Sequence, residues 1–249
     1  MKPKNVILGI VCAVFAVFPL VVHSDYYQHL VIIALMWVVI GSSWNLLAGY
    51  TGQVSFGHAM FFGTGAYTAG IFVTKLELSA WWGMMFGGIT AMLLALVVGW
   101  ICFRLRGPYF ALATLAGGEI LRLIATNWEN LTEGMVGILI IQTFRSKLPY
   151  YYIALALAAS CIFVIYVIMK SKWGYYFLSI REDQDAAESM GINTVFYKNV
   201  SLLVSAFFTG MAGAFYMNYM AFIDPEVVFS LHFISIVLPK GDHHRIVIF

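Results

Sequence analysis

Charge is what this sequence has least of: Asp, Glu, Lys and Arg together make up only 10% of its 249 residues. That shortage, beside a hydrophobic share of 61%, excludes a water-soluble globule, whose apolar share lies near ~45–50%. The apolar runs are long and lack strict alternation, so a closed β-barrel is excluded as well. Helices remain, because lipid offers the backbone no water and every N–H and C=O must be satisfied within the span. Cysteine is scarce too. Cys12, Cys102 and Cys161 each fall in an apolar run, with neither metal-ligand spacing nor an obvious extracellular pair, and read as small core residues. There is no Gly-x-x-x-x-Gly-Lys-Ser/Thr loop, so ATP is not bound by that route, and no His-Glu-x-x-His, Cys-x-x-Cys or Gly-x-Ser-x-Gly. Of the histidines at 23, 29, 58, 232, 243 and 244, only the last two are adjacent, so no metal is expected. A net charge of +2 gives no argument for nucleic acid as a partner.

What is present is a series of apolar runs. Lys2 and Lys4 precede the run 6–22; it lacks a small-residue cleavage site and is expected to be an uncleaved first span with its N-terminus inside. His29 to Ala48 is the second span. Gly49 to Gly70 then holds glycines at 49, 52, 57, 63, 65 and 70, with Gln53, Ser55 and His58 embedded among them. The apolar run that follows, Ala59 to Thr74, is short for a full crossing. Glycine-interrupted segments are where transporters break helices beside a substrate path, and small residues also serve plain helix contact. Gln53, Ser55 and His58 are therefore candidates both for the pathway and for satisfied helix-contact groups.

Trp81 to Phe103 is a span with a Trp pair at one end, and Arg104 and Arg106 make a basic turn. Tyr109 to Ala125 returns carrying Glu119 and Arg122, three apart on one face. Ionisable groups inside a membrane helix are functional candidates by default, the plainer reading being a self-paired polar notch against a neighbour. A polar loop follows over 127–147, then spans at 150–169 and 200–222, the latter with Ser205, Gly210 and Gly213 as small contacts.

With the N-terminus inside, the inner loops carry Lys2, Lys4, Arg104, Arg106, Lys170, Lys172, Arg181 and Lys198, while the outer loops carry only Lys75, Arg145 and Lys147. The positive-inside rule supports this orientation and puts Ser179 to Val200, the most charged stretch, in the cytoplasm. In that stretch Asp185-Ala186-Ala187-Glu188 has the form of a capping box with Asp185 as N-cap. Gly191 follows where a helix C-terminus wants a left-handed residue. A short, well-terminated helix with a small-residue face is expected. The pattern fits an ordinary solvated loop helix as well as a docking element.

Several blocks resemble a known family. Trp44-Asn-Leu-Leu-Ala-Gly-Tyr-Thr-Gly-Gln-Val-Ser-Phe-Gly-His58 and Phe62-Gly-Thr-Gly-Ala-Tyr67 are similar to the glycine-rich segment of LivM-type permeases, membrane subunits of branched-chain amino acid ABC importers. Gly107 to Leu115, Leu131 to Gly134, Arg181 to Ile192, Ser205 to Gly213 and Phe222 to Pro225 follow in the family's order. The resemblance implies an all-α polytopic bundle of about seven spans or helical segments over 1–238. It also implies a cytoplasmic coupling loop at 179–200, whose element is Asp185, Ala186, Ala187, Glu188 and Gly191. It further implies an H-type paralogous permease subunit, two cytoplasmic ATPase subunits that hydrolyse the ATP, an extracytoplasmic binding protein, and no cofactor on this chain. The setting would be the inner membrane of a bacterium or archaeon. The cargo expected is a branched-chain or related amino acid; urea or short amides are the alternative, and a membrane enzyme using His58 with Glu119 is a more distant one. After Leu238 the sequence departs from the family, and 239–249 is expected to be an atypical tail of the kind a truncated or frame-shifted reading would give.

Overall fold

A computed structural model describes residues 15, 17–19, 21, 22, 24–105 and 107–230. Most of the first apolar run, Arg106, and the residues after Ser230, including the tail, lie outside them. Helix α1 (Asp25–Asn45) runs on into one π-helical turn (Leu46–Tyr50). The next helices are α2 (His58–Thr74), α3 (Ala80–Cys102), α4 (Pro108–Asn127) and the single turn α5 (Glu129–Thr132). Strand β1 (Ile138–Leu139) precedes α6 (Lys147–Lys170), α7 (Lys172–Glu182), α8 (Gln184–Ser189) and α9 (Thr194–Met220). Strand β2 (Phe222–Ile223) and the turn α10 (Pro225–Val228) close the described chain. Five of these helices are long and apolar enough to cross a membrane, the first taken from Asp25 through the π-turn and the others being α3, α4, α6 and α9. The architecture is an all-α, multi-pass helical bundle. The loop expected to be merely polar also holds β1, which pairs antiparallel with β2 through Ile138↔Ile223 and Leu139↔Phe222.

The centre is a triad of helices, α2, α3 and α9, packed backbone to backbone. Lipid tails are as apolar as leucine, so helices in a membrane associate through close packing of small residues. Here a β-carbon on Gly65 would fall inside the envelope of the Gly210 carbonyl, and one on Gly213 inside that of the Phe62 carbonyl. A β-carbon on Gly210 would lie 2.7 Å from the Gly87 oxygen, and one on Gly87 2.9 Å from the Gly65 oxygen. Helix α9 is the axis of the bundle: 72% of its apolar stretch is buried, against 28% for α4 and for α6. Helix α1 packs on α6 beside this triad, and α4 flanks its other side. Helix α2, at 17 residues, spans only about 26 Å at the α-helical rise, and it is enclosed by its neighbours for most of its length.

Tertiary hydrogen bonds sort the helix ends into two groups. Arg181 reaches the Gly49 carbonyl at one end. At the other, Lys147 donates to the Asp25 carbonyl, Lys75 pairs with Glu133 and Asn218 donates to the Ala80 carbonyl. The first end carries Arg104, Lys170, Lys172, Arg181 and Lys198, and the second Lys75, Arg145 and Lys147.

Candidate functional site

At the more basic end lies α8, built from local chemistry outward. Helix α7 stops at Glu182, and Asp183 turns extended (φ −155°). Its Oδ1 accepts from the N–H groups of Asp185 (2.9 Å) and Ala186 (3.0 Å). The N-cap is therefore Asp183 and not Asp185, and the expected capping box between Asp185 and Glu188 does not form. Two acidic residues two apart compete for the cap, and the break after α7 selects the earlier one. Glu188 is thereby released to face forward. Its Oε1 accepts from Thr194 Oγ1 (2.6 Å) and from Gln184 Nε2 (2.8 Å).

The C-terminus closes as its sequence asks. Gly191 takes φ +83°, its N–H donates to the Glu188 carbonyl (2.9 Å), and the Ile192 N–H donates to the Ala187 carbonyl (3.1 Å). This is the double bond of a Schellman motif, which a residue with a β-carbon would strain. The small-residue face is split. Ala187 is 4% exposed, turned onto the bundle, and only Ala186 faces out.

Two tethers hold this helix. Lys198, 1% exposed in the second turn of α9, donates from Nζ to Gln184 Oε1 (2.5 Å). Gln184 thus bridges Lys198 and Glu188, stitching α8 to α9. The second tether is Arg181, at the end of α7. Its Nη1 donates to the Gly49 carbonyl (3.2 Å), and a β-carbon on Gly52, which turns at φ +73°, would lie 3.0 Å from Arg181 Cγ. The end of α7 therefore rests on the glycine-rich break.

At that break the widened turn is closed by Thr51 Oγ1 donating to the Leu46 carbonyl and by the Gln53 N–H donating to the Leu47 carbonyl, both at 3.1 Å. Trp44 Nε1 donates to the Ser55 carbonyl (3.1 Å), folding the segment back over α1. Ser55 is buried, and its Oγ accepts from the Gly57 N–H (3.1 Å), a turn role. Gln53 is half-buried. His58, 2% exposed, opens α2 with Nε2 at 2.7 Å from Ser205 Oγ. The Ser205 hydroxyl donates its one proton to the Ser43 carbonyl (2.6 Å), so it accepts from His58 and the proton sits on Nε2. Helices α1, α2 and α9 thus meet at one polar node. Ser205→Ala removes the acceptor of a buried N–H and is expected to cost about 1–3 kcal/mol, read as a lowered melting temperature of the purified protein in detergent.

Glu119 and Arg122 pair with each other. Arg122 Nη2 donates to Glu119 Oε1 (2.5 Å), and Nε donates to both carboxylate oxygens (3.2 and 3.0 Å). Glu119 is half exposed on the outer face of α4. Among the described residues no hydrogen bond joins His58 to Glu119, and no group of His, Cys, Asp and Glu is arranged to hold a metal. The His58–Ser205–Ser43 node and the Lys198–Gln184–Glu188–Thr194 stitch carried no sequence signal of their pairing. The one hint was a lysine placed where an apolar span begins.

A bundle of apolar helices around a glycine-packed triad, with a capped polar helix at one end, defines a polytopic membrane protein. The comparisons give its kind. Residues 6–238 match the family described as "Branched-chain amino acid transport system / permease component", and the chain belongs to that family. It is 27% identical, over 78% of its length, to the "High-affinity branched-chain amino acid transport system permease protein LivM" of Escherichia coli (strain K12). To the protein of the same description from Salmonella typhimurium it is 26% identical over 77%. The alignments cover 53% and 52% of those proteins, so the chain spans about half the length of the curated relatives it matches. No solved structure matches it. Both of these relatives are described as transport permeases and not as enzymes.

Proposed function

We propose that this chain is the membrane-spanning permease subunit of an ATP-driven importer that moves branched-chain or related amino acids into the cytoplasm. The observation that carries the reading is α8: a six-residue helix, closed at both ends, tethered to α9 through Gln184 and Lys198, and joined through Asp183 to α7, whose Arg181 reaches the Gly49–Gly52 break. A helix fixed in this way moves as part of a rigid body, which is what transmission of an ATPase stroke requires. On this reading Asp185, Ala186, Ala187, Glu188 and Gly191 form the coupling element on the cytoplasmic face, with the N-terminus on the same side. Two cytoplasmic ATPase subunits grip it, an H-type paralogue completes the pathway, and an extracytoplasmic binding protein delivers the cargo. ATP is bound and hydrolysed by the partners, and this chain holds no cofactor. The host is a bacterium or archaeon, and the membrane its inner membrane.

The exposed and buried alanines separate docking from folding. Ala186→Arg is expected to leave the fold intact and to weaken capture of the co-expressed ATPase subunits by about tenfold or more, the usual effect of a bulky charge in an interface core. Ala187→Arg is expected to lower the yield of folded chain instead, because that side chain has no exit to water. If Ala186→Arg retains the ATPase subunits as the wild type does, the coupling assignment is wrong.

A further inference from the structure

Helix α4 turns a continuous stripe outward: Tyr109, Leu112, Ala116, Ile120 and Leu123 are exposed at helical spacing, and Glu119 lies among them with 51% of its side chain accessible. Glu119 is neither at a helix end nor near one. Eleven residues of α4 precede it and eight follow, which places it roughly 12 Å or more from either terminus. Ionised side chains at such depth face protein or a water-filled cavity, not lipid tails. Among the described residues the stripe is open.

We infer that this stripe is the chain's share of the translocation pathway, and that Glu119 with Arg122 is a binding station for the zwitterionic head of an amino acid. The inference rests on the permease reading above and names the site at which the cargo is recognised. Glu119 occupies the Nε/Nη2 edge of Arg122; the Nη1 nitrogen carries no hydrogen bond among the described residues, leaving the guanidinium end free for a carboxylate. Glu119 in turn has acceptor capacity left for an ammonium group. Leu112, Ala116, Ile120 and Leu123 lie alongside for an aliphatic side chain.

Charge balance gives the site its selectivity. Empty, Glu119 neutralises Arg122, and Glu226 adds a second, weaker carboxylate field on the same guanidinium. An α-ammonium and α-carboxylate on one carbon replace that single pair by two pairs with no net change in charge. A ligand with only one of the two groups strands an unpaired charge in a low-dielectric site, and a neutral amide has no charge with which to open the pair.

The test uses the assembled permease subunits in nanodiscs without the binding protein, with leucine, 4-methylpentanoate and 3-methylbutylamine compared by saturation-transfer NMR. Wild type is expected to bind leucine about tenfold or more tightly than either single-charge analogue, one charge-assisted bond being worth at least that factor. Glu119→Gln is expected to invert the order and prefer 4-methylpentanoate, since Arg122 then keeps no hydrogen-bonded carboxylate and only the weaker field of Glu226; loss of folding would not produce an inversion. In a cysteine-free background, Ala116→Cys in the assembled complex is expected to react with a water-soluble maleimide. If that cysteine is protected, the stripe is sealed by lipid or protein and the inference fails. If Glu119→Gln and Arg122→Gln bind and transport leucine as wild type does, the station is overturned while the importer reading stands. If wild type neither binds nor imports any branched-chain amino acid, the importer reading fails first.

Discussion

Gly65→Ala should be among the most damaging single substitutions in the chain, although it adds only one methyl group. Its β-carbon would overlap the Gly210 backbone, carbonyl carbon included, where α2 and α9 meet. No side chain can rotate away, because the obstructing atoms are main chain, and Gly210 is itself closed in by Gly87 and by the Ala91 methyl. Relief needs α2 and α9 to separate along the triad that organises the bundle. Overpacking a core commonly costs 1–3 kcal/mol; with backbone on both sides the cost here is expected at about 3 kcal/mol or more. That corresponds to a melting temperature lower by about 10 °C for a chain of this size. Thermal unfolding in detergent, read beside the amount of chain recovered from membranes, checks it. Gly41→Ala is the control: nothing lies within 4 Å of that position, so it should be neutral or slightly stabilising. If Gly65→Ala melts with the wild type, the close packing of α2 on α9 is wrong.

This packing explains which parts of the fold can be read from the chain alone. Apolar runs bounded by Lys, Arg and Trp mark spans directly, because the constraint is local: about 20 residues cross the hydrocarbon. The glycines at 63, 65, 210 and 213 signal close approach without naming a partner, since a glycine carries no side chain to match. The capped helix at 184–189 is legible to within two residues. Its error, Asp185 for Asp183 as N-cap, arises because either acid can cap and only the end of α7 decides. Glu119 and Arg122 pair as their spacing suggests, a contact written into one helical turn. The contacts of His58 with Ser205 and of Lys198 with Gln184 cross between segments 147 and 14 residues apart. A single sequence carries no signal that selects such pairs over other polar residues at similar depth.

Lys198→Met should detach α8 without unfolding the bundle, and, on the importer reading proposed above, it should separate ATP hydrolysis from transport. A helix of six residues has no stability of its own; isolated helices shorter than about 12–15 residues are marginal. What holds α8 in place is its side-chain network, and Lys198 stands at the buried end of it, bonded to the Gln184 carbonyl that orients the amide toward Glu188. Methionine fills similar volume and leaves the Gln184 oxygen without its ammonium partner. Losing this charge-assisted hydrogen bond and leaving the amide oxygen unpartnered costs about 1–3 kcal/mol, taken here as local opening because α9 beyond its first turns is locked into the triad. Amide hydrogens of residues 186–190 are therefore expected to exchange about tenfold or more faster than in wild type, with protection around Ser205 unchanged. Transport should fall at least tenfold while ATPase activity persists, since the ATPase still turns over against a helix that no longer moves the bundle. Unchanged protection over 186–190 would show that Lys198 is not the tether, and loss of protection at both places would show that the network stabilises the whole fold. Between Lys198 and Ser205 lie only two turns of α9, so on the proposed reading a tethered α8 would deliver its displacement to the same helix that holds His58 at the head of α2. On the coupling reading proposed above, the tether at Lys198 is what lets so short a helix act on the broken segment.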